Sequence, residues 1–215
     1  MDFIYERIKT PQGVKLEIIT GGARYKGKVW VEIASQIYCE NGKDGFREIG
    51  HFSSGAPFLY GEDVRISISH TEGCYVVATV PVPVDALLSE FSPQTALGVD
   101  VEKADREKVL KLRDRFLSDS ELPLFPEDSL EAGIIAWTCK EAMLKAFMNP
   151  DIDWRHDIVI TSPPSIDGSP GKGYVNSGET RHEFSLFSMR YEGYIITFAT
   201  SAGVSFTKDK ICRNK

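Results

Sequence analysis

Glu141 is the residue in this sequence that most needs a chemical reason. It lies in Trp137-Thr138-Cys139-Lys140-Glu141-Ala142-Met143-Leu144-Lys145, inside a helical pattern that starts near Asp128 and stops by Pro150. Asp128 is placed to cap that helix, with Glu131 three residues on in the capping-box position. Leu130, Ile134, Trp137, Glu141, Leu144 and Met148 recur at steps of four and three, so they form one stripe with the carboxylate near its middle. The other face, with Ile135, Cys139, Met143 and Ala146, is apolar or small as well. Between Gly133 and Met148 the only charges are Lys140, Glu141 and Lys145, so the helix is expected to be buried on most sides. Charges there need partners or a metal. An internal pair between Glu141 and Lys145, four residues apart, is the plain structural alternative.

Two more acids stand upstream. Asp100 and Glu102 are two apart in a strand pattern, Ala96 to Glu102, so both side chains share one face and Val99 and Val101 take the other. Ordinary alternation with the acids in solvent is the competing explanation. Gly98, just before them, allows a ligand to approach the backbone closely. Asp100, Glu102 and Glu141 together make an oxygen-only donor set, with no histidine or cysteine at matching spacing. Such a set selects a hard cation, and Mg²⁺ is held by a few carboxylates together with substrate phosphates. Lys140 and Lys145 would balance remaining phosphate charge, and His70, at a strand end, would add a further phosphate contact.

These residues must be positioned by a chain of 215 residues, 42% of them hydrophobic, enough for one large domain or two small ones. The net charge of −6 argues against general nucleic-acid binding. The first residues lack the basic and apolar regions of a signal peptide, and no apolar run approaches a bilayer span. Cys39, Cys74, Cys139 and Cys212 are scattered without CxxC spacing, which fits reduced thiols. A soluble, cytoplasmic, monomeric protein with neither membrane nor nucleic-acid partners is expected.

Val14 to Thr20 reads as a strand. Arg24, Lys26 and Lys28 then form a basic cluster before Val29 to Ala34, which fits a short helix or a strand. Asn41-Gly42 and Asp44-Gly45 mark a turn. Arg65 to His70 alternates at period two, Glu72-Gly73 turns, and Tyr75 to Val80 returns. The same hairpin recurs late in the chain: Ser188 to Tyr191, Glu192-Gly193, then Tyr194 to Ala199. The repeat predicts an α+β fold of two similar halves, 1–96 and 97–215, each an antiparallel sheet packed by a long helix. Ligand sites form in clefts between such halves. Pro81 to Pro93 connects them. A second amphipathic helix carries Val109, Leu112 and Phe116, with Arg106, Lys108, Lys111, Arg113 and Arg115 among them. Residues 161–180 read as a long surface loop, and Lys208 to Lys215 as a frayed basic tail.

Gly98-Val99-Asp100-Val101-Glu102, followed about forty residues later by Trp137 to Lys145, resembles the double signature of the 4′-phosphopantetheinyl transferase superfamily. Ser67-Ile68-Ser69-His70-Thr71 resembles the Ser-His motif of its larger, pseudo-dimeric branch, typified by the surfactin-synthetase-activating enzyme. Gly55-Ala56-Pro57 sits where that branch has Gly-basic-Pro. The resemblance implies transfer of the phosphopantetheine arm of coenzyme A to a serine of an apo acyl, peptidyl or aryl carrier protein, releasing adenosine 3′,5′-bisphosphate. Carried over, Asp100, Glu102 and Glu141 would hold Mg²⁺ (or Mn²⁺). Ser69 and His70 would contact coenzyme A phosphate and Lys145 the pyrophosphate or leaving group, and Glu141 and Lys145 would serve catalysis. Outside the motif roles, Lys140 and Lys28 are expected as further coenzyme A contacts by their charge. Three departures stand out: Ala56 replaces a basic residue, no Arg-rich helix precedes Gly55, and Ala146 to Pro150 lacks the usual glycine turn. The alternative reading is a coenzyme A- or carrier-binding protein that has lost turnover.

Overall fold

The computed structural model describes residues 3–22, 25–42, 45–83, 95–149 and 151–201. Arg24, Asp44, most of the 81–93 connector, Pro150 and the basic tail lie outside them. The first part of the chain runs β1 (Phe3–Lys9), β2 (Lys15–Gly21), α1 (Gly27–Glu40), β3 (Ile49–His51), β4 (Pro57–Leu59), β5 (Val64–Thr71) and β6 (Cys74–Pro81). The second runs β7 (Leu97–Lys103), α2 (Lys108–Phe116), a short 3₁₀ turn (Leu122–Leu124), α3 (Leu130–Phe147), β8 (Ile158–Ser162), β9 (Gly171–Ser177), β10 (Thr180–Tyr191) and β11 (Tyr194–Ser201). The stretch that fitted helix or strand is therefore helix α1. Trp30, Ala34 and Tyr38, four apart, form its buried stripe.

Two antiparallel sheets result, in the orders β1-β2-β6-β5 and β7-β11-β10-β9-β8. The trio β2-β6-β5 in the first sheet has the same order as β7-β11-β10 in the second. In both, a helix follows the first strand, and the two hairpins keep one register, with Thr71 opposite Cys74 and Tyr191 opposite Tyr194. The fold is thus α+β, as the repeated hairpin implies.

Alternation sorts the side chains into layers. Leu16, Ile18, Val76, Ala78, Val99, Val101, Ile196 and Phe198 point inward and form the core shared by the two sheets. The odd-phase partners Ile19, Tyr75 and Val77 pack under α1. In the second half, Ile134, Ile135, Cys139, Met143 and Ala146 of α3 pack with β8 to β11.

Three local readings need correction. The N-cap of α3 is Ser129, whose hydroxyl accepts from the Ala132 N–H, one residue beyond Asp128. Gly98 makes room for the helix rather than for a ligand: a Cβ there would stand 1.9 Å from the Ala142 carbonyl oxygen. Residues 161–180 are not one surface loop, because β9 (Gly171–Ser177) runs through that stretch. Gly173 imitates turn composition but serves packing, since a Cβ would come 2.6 Å from Met143 Sδ.

Candidate active site

The site begins as a problem of strand edges. β5 closes one sheet and β7 the other, and an edge strand leaves backbone N–H groups to be satisfied. Two serines of β5 meet that need. Ser67 Oγ accepts from the Val99 N–H (2.9 Å) and Ser69 Oγ from the Val101 N–H (3.3 Å). The seam between the sheets is therefore bridged by hydroxyls, and it sets Ser69 against the acidic face of β7.

At that seam Asp100 Oδ1 accepts from Ser69 Oγ (2.8 Å) and from Lys145 Nζ (2.7 Å). Lys145 also donates to Ser69 Oγ (3.0 Å) and to the Val99 carbonyl (3.1 Å). Three residues from three elements, β5, β7 and α3, thus converge. Asp100 is only 5% exposed, yet its second oxygen, Oδ2, is buried without a hydrogen-bond partner. A buried carboxylate oxygen normally has a partner. Glu102, on the same face, is held by Arg106 and faces Thr71 Oγ1 at 3.5 Å.

Glu141 lies one helical turn before Lys145, on the half-buried side of α3 with Trp137, Leu144 and Met148. It makes no direct hydrogen bond or ion pair among the described residues, so the internal pair with Lys145 is not formed; Lys145 is engaged by Asp100 instead. Burial pushes the Glu141 carboxyl above its usual range, and the charge of Asp100 adds to this, while Lys145 and Arg106 offset part of it. A free, desolvated carboxylate beside Asp100 and its unpartnered oxygen suits a hard cation. Among the described residues no three such side chains are already gathered closely enough to form a finished metal cage. The donor chemistry and the orphaned oxygen nonetheless fit a cation that also takes ligands from phosphate and water.

His70 is the next residue of β5 after Ser69 and so points to the α1 side, its ring stacked parallel to Tyr75 at 6.3 Å. Burial lowers its pKa and Lys145 lowers it further, against Asp100. It lines a cleft of about 530 Å³ with Lys26, Gly27 and Lys28 at the start of α1. No side chain among the described residues caps that helix, and its first turn borders the cleft. A neighbouring cleft shares His70, Ile68, Gly55 and Pro57, and a third, of about 300 Å³, joins Gly55, Pro57 and Ile68 to Leu144, Lys145 and Met148. One groove therefore runs from Lys28 past His70 to Lys145. Ala56 and Met148, two of the departures from the family pattern, sit at its far end; Met148 takes a left-handed φ of 59° in place of a glycine.

Lys140 is not part of this assembly. Its ammonium is fully buried on another face of α3, bound by Glu121 Oε2 (2.8 Å) and by the carbonyls of Trp154 (3.1 Å) and Ile158. Glu121 in turn accepts from the backbone N–H groups of Ser118 and Ile160. Neither Glu121 nor the Arg106–Glu102 pair stood out in the sequence. Glu121 lies in an aperiodic stretch, and Arg106 was one of five basic residues around α2.

Residues 96–199 match the family model of the 4′-phosphopantetheinyl transferase superfamily. That stretch carries Asp100, Glu102, Glu141 and Lys145, and over it the chain is similar to the superfamily. The match supports phosphopantetheine transfer in general. The first sheet, with Ser69 and His70, lies outside the matched residues. Comparison with curated proteins finds no match.

Proposed function

We propose that the protein moves the 4′-phosphopantetheine arm of coenzyme A onto a serine of an apo acyl, peptidyl or aryl carrier protein, with Mg²⁺, in the manner of the pseudo-dimeric branch. The observation that carries this reading is the convergence of Ser69, Asp100 and Lys145 across the seam between the two halves, beside the unpaired Glu141. The groove from α1 to α3 suits the cofactor's shape. Lys28, His70 and the N-terminal turn of α1 would hold nucleotide phosphate at one end. The cavity beside Leu144 and Met148 would take the slim pantetheine arm at the other.

The chemistry is in-line attack by the carrier serine oxygen on the β-phosphorus of coenzyme A. A P–O bond to serine forms, the pyrophosphate bridge breaks, and adenosine 3′,5′-bisphosphate leaves with the electron pair. Asp100, Glu102 and Glu141 would hold a divalent cation, which would supply charge neutralisation on the pyrophosphate. Lys145 stands where leaving-group charge develops. Glu141, kept basic by its raised pKa, takes the serine proton directly or through a water. Lys140 has no part in these steps.

Mass spectrometry of apo carrier proteins incubated with this protein, coenzyme A and Mg²⁺ tests the proposal. The expected result is a serine-linked phosphopantetheine adduct and free adenosine 3′,5′-bisphosphate. Tight binding of coenzyme A with no adduct on any carrier class would replace this reading with that of a binding protein without turnover.

A further inference from the structure

Arg106 sits at the rim of the acidic cluster and does three things there. It forms an ion pair with Glu102, its guanidinium lies over the Trp137 ring at 5.5 Å from the centroid, and its charge acts on Glu141. Trp137 is itself fixed edge-on against Phe116 and Trp154, so the guanidinium has a rigid platform. Lys145 does the same to Asp100 from the other side. Two of the three acids are thus held by cations of the chain itself, and among the described residues Glu141 and Asp100 Oδ2 have no direct partner.

Three carboxylates would attract a divalent cation strongly in the absence of substrate, whereas two paired acids and one desolvated one do not. A pyrophosphate entering the groove offers Arg106 and Lys145 a more highly charged partner, which frees Glu102 and Asp100. We propose that Arg106 is a positioning residue that withholds Glu102 from the cation, so that the free protein binds a divalent cation weakly and loads it together with the pyrophosphate of its ligand. Cation and pyrophosphate then strengthen each other's binding, and by linkage the effect is reciprocal. The inference rests on the cation reading of the proposed function, but it concerns this chain's own Arg106.

Mn²⁺ affinity, read by electron paramagnetic resonance on the whole protein with and without coenzyme A, tests it without any measurement of turnover. Free wild-type protein should bind Mn²⁺ weakly, and coenzyme A should tighten it. Arg106→Gln should tighten Mn²⁺ binding to the free protein by about tenfold and shrink the enhancement by coenzyme A. Arg106→Leu, which keeps apolar cover over Trp137, should do the same, and Arg106→Lys should restore the wild-type value. Because Arg106 is partly exposed, the difference should narrow as salt is raised. If folded Arg106→Gln and Arg106→Leu bind Mn²⁺ no more tightly than wild type, the inference is overturned. Mn²⁺ binding in the presence of coenzyme A then decides separately whether the cation reading stands.

Discussion

Lys140 and Glu141 are neighbours in sequence and opposites in structure. A step of 100° around α3 turns one into the packed side of the second half and the other toward the seam between halves. Lys140 finds every donor matched, by Glu121 and two carbonyls, and Glu121 is matched in turn by two backbone N–H groups. Among the described residues Glu141 has no direct partner, and Asp100, whose charge acts on it, has a buried oxygen with none either. A saturated buried pair holds a structure together. An unsaturated one, whose charge Lys145 and Arg106 only partly offset, leaves positions open for a ligand. The two-residue difference teaches that burial of charge is not itself a functional signal; incomplete satisfaction is.

Breaking the saturated side should have the largest effect. Lys140→Ala leaves Glu121 charged and unpaired in the core and should cost about 3–5 kcal/mol of stability, seen as a large fall in the thermal midpoint. At a temperature where the variant is still folded, transfer should stay near wild type. A stable variant with lost transfer would instead return Lys140 to the phosphate site and erase the contrast.

A smaller effect sharpens the other side. His70 titrates below its ordinary value in the free protein because burial and Lys145 disfavour its charge. A phosphate beside it would favour that charge, so binding should take up a proton and strengthen as pH falls. Between about pH 8 and about pH 6, coenzyme A affinity measured by calorimetry should gain up to about tenfold from this group relative to His70→Asn. Parallel pH profiles for the two proteins would remove His70 from the phosphate site.

Much of this was legible before any coordinates. The hairpin repeated around Glu72-Gly73 and Glu192-Gly193 carried the two-sheet α+β fold, because register in a two-residue turn is a local property. Asp100, Glu141 and Lys145 were readable from period two on a strand and 3.6 on a helix. Direction was not. Spacing placed Lys140 beside Glu141 but could not say which neighbour each would meet, since the partner, Glu121, lies nineteen residues away in an irregular stretch. The helix stripe of Leu130, Ile134, Trp137, Glu141, Leu144 and Met148 is expected to be buried like the rest of the helix, and apart from Ile134 it is the half-buried side. The most closely packed side uses small residues, Ala142 and Ala146 over Gly98, which carry little hydrophobic signal. Glycines at 98 and 173 looked like sites of ligand approach or turning and are sites of helix contact.

Glu141→Gln tests the central claim most directly, through two quantities on one variant: thermal midpoint across pH, and transfer rate at saturating Mg²⁺. A carboxyl whose folded pKa is raised contributes stability that is fully present below its unfolded value and is lost as pH rises through the folded value. Wild type should therefore lose ground to Glu141→Gln as pH is raised above the ordinary glutamate range, and at neutral pH the variant should be at least as stable. Its transfer rate should fall by about a hundredfold or more, with coenzyme A binding retained. A folded Glu141→Gln that transfers at a near-normal rate would contradict the account.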